Sequence, residues 1–297
     1  MRDARSRRGK RRFDDDEWDD RYVEEFDPDE DDRDVDGPPA GDRWSTFDQS
    51  TAGERGPRPY PDWLVTELAA VDAELGVLKT GKEADVHLLR RWIPGTDRGC
   101  LLAAKRYRDT DHRLFRRDEG YLAGRRVRES RTNRAMARRT AFGRQMIAAQ
   151  WANAEFGALC RLHEAGVPVP YPVQILGTEL LMQFVGDADG AAAPRLAETP
   201  YRGDELTSLW EQLVEAMLAL ARGGFAHGDL SAYNLLVDGD RLVMIDLPQI
   251  VDVISNPVGP EYLARDAANV ATWFAHRGYP ADADELTNLL NREARLG

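Results

Sequence analysis

Hydrophobic and polar positions divide the chain into short strand-like runs and longer helical repeats. Apolar residues alternate or run together, as is typical of strands, over 77–79, 86–92, 101–107, 173–176 and 179–185. Apolar spacing of three and four residues predicts helices over 62–76, 151–166, 206–221, 260–276 and 283–292. The order of these elements predicts an α+β fold, in which a small antiparallel sheet precedes a mostly helical part.

A further hairpin is predicted over residues 235–245, where two apolar, β-rich runs flank a turn that contains Gly239. Such a hairpin brings Asn234 and Asp246 to the same end. Magnesium prefers hard oxygen ligands and keeps some of its waters, so one amide oxygen and one carboxylate beside phosphate oxygens suffice to bind it. The spacing therefore predicts a site for metal-bound ATP, with Asp229 left free to orient a nucleophile.

A lysine ends the apolar strand 101–104, which places the ammonium group of Lys105 at a fixed depth in the sheet. Glu155 lies among apolar neighbours on the next predicted helix, and kinase folds use such a pair to hold the nucleotide phosphates. For Lys105 alone, a surface side chain that extends to solvent is the alternative.

The segment Thr80-Gly81-Lys82 stands between two predicted strands, where a turn that covers phosphate groups is expected. Thr80 and Lys82 are able to reach phosphate oxygens, and Gly81 lets the backbone approach them. With its single glycine the segment matches neither the three-glycine kinase loop nor the Walker pattern, so an exposed turn is the alternative.

Three motifs resemble the RIO family of atypical protein kinases: Thr-Gly-Lys-Glu-Ala-Asp-Val from residue 80, His-Gly-Asp-Leu-Ser-Ala-Tyr-Asn from residue 227 and Ile-Asp-Leu-Pro-Gln from residue 245. The stretch 265–270 is similar to that family too, and the resemblance covers about residues 62–278. It implies a two-lobed protein-kinase-like fold with an N-terminal RIO helix, and chemistry with ATP and Mg²⁺, or Mn²⁺ in its place.

The resemblance also implies a role for each matching residue. Asp229 looks like the catalytic aspartate, and Lys105 like the phosphate lysine with Glu155 as its helix partner. His227 is assigned to packing. The implied metal ligands are Asn234 and Asp246, and the implied nucleotide contacts are Thr80, Gly81, Lys82, Lys105, Met182, Gln183, Phe184, Val185 and Ser231.

Two departures from ordinary protein kinases affect the expected activity. Ser231 stands where many of them carry a phosphate-contacting lysine, so one positive charge is missing and slow turnover is expected. Asp246 is followed by Leu-Pro instead of Phe-Gly, and no Ala-Pro-Glu segment comes after it. A platform for docking peptides is therefore expected to be absent.

Charge is distributed unevenly along the 297 residues, whose formal net charge is −12. Residues 13–36 contain fifteen Asp or Glu against two Arg. The segment has too few apolar groups to offset the conformational entropy that it would lose on ordering. We therefore expect a disordered charged tail over 1–58. A kinase-like domain is then expected over 59–297, with an N-lobe at about 62–181, a hinge at 182–186 and a C-lobe at 187–297.

The segment from Arg106 to Arg144 is the most basic, with thirteen Arg against five Asp or Glu. A solvated helical face would explain many of these arginines, and contacts with an RNA phosphate backbone would explain them too. We interpret residues 109–143 as a mobile insertion that is helical in part. The resemblance to the RIO family, whose eukaryotic and archaeal members are tied to small-subunit ribosome maturation, implies a ribosomal subunit or its RNA as a candidate partner.

The remaining features favour a soluble cytoplasmic protein. No apolar stretch reaches the length of a membrane span, and acidic residues stand where a secretory signal would place its apolar core. Cys100 and Cys160 lack the spacing of a disulfide framework or a zinc site.

The sequence leaves several functions open. A RIO-type enzyme uses ATP either to phosphorylate Ser or Thr, including its own, or to form and hydrolyse a phosphorylated Asp246. An aminoglycoside-type phosphotransferase shares much of the pattern, but those enzymes resemble His-Gly-Asp-Leu-His-x-x-Asn, and Ser231 replaces that second histidine. A catalytically idle RNA or protein adaptor is the third reading, and the retention of Lys105, Asp229, Asn234 and Asp246 speaks against it.

Overall fold

An antiparallel sheet of six strands forms the first part of the computed structural model, which describes residues 37–108, 141–247 and 250–296. The strands are β1 (Arg43–Trp44), β2 (Val71–Thr80), β3 (Ala84–Trp92), β4 (Gly99–Tyr107), β5 (Pro172–Leu176) and β6 (Glu179–Gln183). Their order across the sheet is β1-β2-β3-β4-β6-β5. The strands predicted at 86–92, 101–107 and 173–176 are confirmed, and the strand predicted at 77–79 is the end of β2.

The prediction of a helix over 62–76 is wrong. This helix was also the RIO helix that the resemblance implied. Irregular chain with turns at 62–63 and 68–69 occupies 61–70, and β2 begins at Val71, which pairs with Trp92. Leu64 and Leu68 share a helical spacing, but their side chains are 3% and 73% exposed. One buried helix face cannot contain both, so the pairing of β2 with β3 outweighs the local apolar pattern.

The segment before that strand is folded as well. Arg43 and Trp44 pair with β2, Phe47 is buried in a small core with Leu64 and Leu102, and the Gly56 N–H donates to the Val173 carbonyl at 3.0 Å. The disorder expected up to residue 58 is therefore not found for residues 37–58. Residues 1–36 lie outside the described residues.

A buried polar network joins this segment to the sheet. The Arg91 guanidinium is fully buried and donates from Nε and Nη2 to the two carboxylate oxygens of Asp72, at 2.7 and 3.0 Å. Its Nη1 donates to Gln174 Oε1 at 3.1 Å, and Gln174 Nε2 donates to Thr46 Oγ1 at 2.8 Å. Each polar group therefore has a partner, as burial away from water requires.

Helices and short hairpins form the second part of the fold. The helices are α1 (Ala141–Glu164), α2 (Gly203–Arg222), α3 (Gly259–His276) and α4 (Ala283–Glu293). The shorter strands are β7 (Phe225–Ala226), β8 (Leu235–Asp238), β9 (Arg241–Met244) and β10 (Val251–Asp252). The helices predicted at 206–221, 260–276 and 283–292 and the hairpin predicted at 235–245 are confirmed.

The helix predicted at 151–166 is confirmed and is longer than expected. Because α1 begins at residue 141, it includes the last three residues of the insertion predicted at 109–143, and residues 109–140 lie outside the described residues. In the described ranges, no helix combines the length and the apolar character that crossing a membrane demands.

Candidate active site

A cleft with a cavity of about 620 Å³ lies below the sheet. One wall is formed by residues of β2, β3 and β4 and of the turn between β2 and β3. The other wall is formed by the chain from Ala192 to Arg195 together with Leu236 and Asp246. Nine predicted site residues line it: Gly81, Lys82, Lys105, Glu155, Met182, Gln183, Phe184, Val185 and Asp246. Four others do not line this cavity: Thr80, Asp229, Ser231 and Asn234.

The predicted pair of Lys105 and Glu155 is present at the back of the cleft. Lys105 Nζ donates to Glu155 Oε1 at 2.7 Å, with the two side chains only 12% and 3% exposed. Burial acts to lower the pKa of Lys105, but the negative charges of Glu155 and Asp246 outweigh it and raise that pKa. Lys105 is therefore a fixed positive charge at neutral pH.

Tyr107 holds the other oxygen of this glutamate, a role that the sequence did not suggest. It is buried two residues after Lys105, and its hydroxyl donates to Glu155 Oε2. Burial, with the charge of Glu155, raises the pKa of Tyr107 well above its ordinary value, so the hydroxyl keeps its proton. Both oxygens of Glu155 are thus bonded, and its orientation towards Lys105 is fixed.

Asp246 approaches the same lysine from the opposite wall. Its Oδ1 lies 3.4 Å from Lys105 Nζ, and its side chain is 43% exposed. Burial acts to raise the pKa of Asp246, yet the charge of Lys105 overcomes this effect and lowers the pKa. The backbone of Asp246 has φ of 66°, a left-handed conformation that is uncommon without glycine and is enriched at functional sites.

The hairpin brings Asn234 next to Asp246, as predicted. Leu235 pairs with Met244, and the Ile245 N–H donates to the Asn234 carbonyl at 2.9 Å. Asn234 Nδ2 donates to the Asp229 carbonyl at 2.9 Å, which leaves the amide oxygen as the group available to a cation.

The loop that carries Asp229 is held from below by α3. The carboxylate of Asp266 accepts from the Gly228 N–H at 2.8 Å and from the Leu230 N–H at 3.0 Å. Burial raises the pKa of Asp266 despite these bonds. Asn269 Nδ2 donates to the Leu230 carbonyl at 3.1 Å. The backbone on both sides of Asp229 is therefore fixed, while the Asp229 side chain is exposed.

Three further residues lie in or beside the loop that carries Asp229. His227 is buried, as its assignment to packing requires, with Nε2 3.1 Å from the Ile245 carbonyl. Ser231 occupies the N-cap position of a short 3-10 helix (Ala232–Asn234), without a capping hydrogen bond from its side chain. Arg195, which the sequence did not suggest, lines the cavity and donates to the Tyr233 carbonyl.

The donor set fits magnesium bound to a nucleotide better than magnesium bound by protein alone. Within residues 37–108, 141–247 and 250–296, no group of three or more His, Cys, Asp or Glu side chains is placed to hold a metal. One amide oxygen of Asn234 and one carboxylate of Asp246 remain, and magnesium commonly takes its other ligands from phosphates and water.

Comparison with known proteins identifies the family. Residues 102–286 match the RIO domain. The chain belongs to the RIO family. It is 35% identical over 216 residues to the RIO-type serine/threonine-protein kinase Rio1 of Haloferax volcanii, covering 73% of this chain and 68% of that one. It is 34% identical over 218 residues to the serine/threonine-protein kinase RIO1 of Chaetomium thermophilum, covering 70% of this chain and 40% of that one.

The crystal structure of the Rio2 kinase-ADP/Mg²⁺-phosphoaspartate complex from Chaetomium thermophilum is also similar. It is 19% identical to this RIO chain, with a TM-score of 0.48 over 75% of this chain and 67% of that one. The match to the fungal RIO1 covers less than half of that longer protein.

Proposed function

We propose that this RIO chain is an ATP- and magnesium-dependent serine/threonine protein kinase that phosphorylates a protein substrate or itself. The observation that carries the proposal is the chain of contacts across the cleft, in which Lys105 binds Glu155 of α1 at 2.7 Å and meets Asp246 of the opposite wall at 3.4 Å. Phosphoryl transfer depends mainly on positioning and on neutralising charge, and this arrangement supplies both.

Each residue has a definite task in this proposal. Lys105 binds the phosphate oxygens of ATP, and Met182 to Val185 contact the adenine, with Gly81 and Lys82 covering the phosphates. Magnesium, held by Asn234 and Asp246, would neutralise the charge that develops on the phosphates. Asp229 orients the acceptor hydroxyl and takes its proton as the acceptor oxygen bonds to the γ-phosphorus and the bond to the ADP oxygen breaks.

Incubation of the purified protein with γ-labelled ATP tests the proposal. Acid-stable label on Ser or Thr supports the kinase, and Asp229→Asn should reduce it at least a hundredfold, as expected for loss of a general base (roughly 10²–10⁴-fold). Asp246→Asn should weaken magnesium-dependent nucleotide binding. Nucleotide binding without any transfer or hydrolysis would refute the enzyme and favour the adaptor.

A second use of the same site is ATP hydrolysis through a phosphorylated Asp246. The exposed carboxylate of Asp246, 43% exposed in the cleft, favours this possibility. Label that hydroxylamine removes would identify an acyl phosphate on aspartate and distinguish this reaction from the kinase.

A role in ribosome assembly in the cytoplasm remains part of the proposal. The arginine-rich segment 106–144 would supply phosphate contacts, and most of it lies outside the described residues. Sedimentation with ribosomal subunits, with and without ATP, tests this role, and absence of binding in both conditions would contradict it.

A further inference from the structure

Arg265 is an exposed arginine on α3 that borders the loop of Asp229. Its Nη2 donates to the Gly228 carbonyl, and its guanidinium lies 4.7 Å from the centre of the Tyr262 ring. Its side chain lies at the surface and forms no ion pair with a carboxylate of the described residues, although its charge acts to lower the pKa of the adjacent Asp266. A guanidinium has five N–H donors, so most of its hydrogen-bonding capacity is left for a partner.

Several arginines in and beside the sheet are already paired with carboxylates. Arg91 is bonded to Asp72, Arg106 to Glu74 and Glu179, and Arg108, just after β4, to Asp85. Arg265 differs from these three arginines because its contacts are with a backbone carbonyl and an aromatic ring, not with a carboxylate. Stacking on Tyr262 fixes the plane of its guanidinium without consuming a donor, which preorganises it for a planar anion.

The position of Arg265 relative to Asp229 is also fixed. Asp266, the next residue on α3, bonds the N–H groups on both sides of Asp229, while Arg265 bonds the carbonyl of the peptide unit that precedes it. An extended acceptor segment advances by about 3.3–3.6 Å per residue. A side chain one to three residues from an acceptor hydroxyl at Asp229 is therefore within reach of Arg265.

The loop that carries Asp229 has no cationic side chain of its own that could bind an acidic substrate. Residues 227–234 contain no Lys or Arg, because Ser231 stands where many kinases have a lysine. Asp229 and Asp246 are both negative and would repel an acidic acceptor segment that had no counter-charge. Arg265 supplies a positive charge beside this loop, where it bonds the Gly228 carbonyl.

We propose that Arg265 binds an acidic side chain next to the acceptor hydroxyl, so that acidic protein segments are the preferred substrates. The proposal rests on the kinase function proposed above and specifies its substrate class. The sequence lacks the Ala-Pro-Glu segment that is associated with a larger peptide-docking platform. Recognition of the substrate through a single arginine is consistent with that absence.

Synthetic peptides with one central Ser or Thr, and Glu, Ala or Lys placed in turn at the three positions on either side, test this inference. With the full chain, Glu at the best position should raise kcat/KM about two- to fivefold over Ala, the range expected of an exposed ion pair. Arg265→Gln should abolish that ratio, Arg265→Lys should keep part of it, and Arg265→Glu should reverse it in favour of Lys peptides.

The matched control is Arg241→Glu, which makes the same charge change at the far end of the hairpin from Asn234. It should leave the ratio between Glu and Lys peptides unchanged. Because the readout is a ratio within one variant, a general loss of activity does not imitate the expected result. Melting temperature and ATP affinity of each variant check that the fold is retained.

The outcomes separate the two proposals. Transfer to peptides with no preference for Glu at any position, or a preference that survives Arg265→Gln, overturns the inference and leaves the kinase standing. Failure to transfer phosphate to any peptide or to itself overturns the kinase and the inference with it. An unchanged peptide preference together with weaker RNA binding by Arg265→Gln would assign this arginine to nucleic acid instead.

Discussion

Replacing Tyr107 with Phe removes a single hydroxyl from the back of the cleft. That hydroxyl donates to Glu155 Oε2, while Lys105 Nζ donates to Oε1 at 2.7 Å. Tyr107 is 7% exposed and Glu155 is 2% exposed, so water does not readily replace the lost donor. The ring of Phe fills the same space, and the substitution therefore tests the hydrogen bond without creating a cavity.

The size of the effect follows from the charge on the acceptor. A hydrogen bond to a charged group contributes roughly 1.5–3 kcal/mol, against about 1 kcal/mol for a neutral pair. We therefore expect Tyr107→Phe to lower the free energy of unfolding by about 2 kcal/mol. A glutamate held by one oxygen also positions Lys105 less well, and we expect kcat/KM for ATP to fall about tenfold, equivalent to about 1.4 kcal/mol.

Urea denaturation followed by tryptophan fluorescence, together with steady-state ATP kinetics, measures both effects. Tyr171→Phe is the matched control, because Tyr171 is also buried but its hydroxyl donates to the neutral carbonyl of Pro57 at 2.7 Å. The control should lose about 1 kcal/mol and keep its ATP kinetics. If Tyr107→Phe lowers neither the free energy of unfolding nor kcat/KM for ATP by more than Tyr171→Phe does, Tyr107 does not position Glu155.

Three further substitutions test other parts of the fold. Arg91→Leu should lower the free energy of unfolding in urea by about 3 kcal/mol, because buried Asp72 loses its two close donors and keeps only Arg43, whose Nε lies 3.6 Å from Asp72 Oδ2; a loss below about 1 kcal/mol would contradict this. Gly81→Ala should raise the KM for ATP, since the added carbon would lie 2.8 Å from the Ala84 carbonyl and displace the turn over the cleft; an unchanged KM would remove this turn from the nucleotide site. Asp266→Asn should lower kcat about tenfold, because the Gly228 and Leu230 N–H groups bond different oxygens of Asp266 and the amide replaces one of these acceptors with a donor; an unchanged kcat would show that the loop is fixed by other contacts.

Much of the fold follows from local pattern. The hairpin at 235–245 was predictable because its turn, its apolar alternation and its length all favour one structure. Only residues 77–79 of β2 were predicted as strand, since Leu75 and Val77 are 53% and 59% exposed and do not alternate with buried residues as a half-buried strand would. The pairing of β2 is determined by contacts with β1 and β3, including the bond between Asp72 and Arg91, which lie nineteen residues apart.

Some residues of the candidate site were predicted from the sequence and others were missed. The pairing of Lys105 with Glu155 was predicted from the order of strand and helix and from the kinase pattern, and the structure adds the distance between them. The roles of Lys105, Glu155 and Asp246 in a reaction stay predictions. Tyr107 and Asp266 were missed as contact residues because their partners lie far along the chain, 48 residues away for Tyr107 and Glu155 and 38 for Asp266 and Gly228. A buried tyrosine or aspartate acquires such a role only when the fold presents a donor or acceptor to it.

The family match begins at residue 102, inside β4, whereas the strands that roof the cleft come before it. A fragment cut to 102–286 would lose β1, β2 and β3 and would leave β4 as a bare edge with unpaired N–H and C=O groups. Exposed edges of this kind pair with other copies and promote aggregation. Recombinant production for all of these experiments should therefore retain the chain from residue 37 onward, and insolubility of the shorter fragment would say nothing against the enzyme.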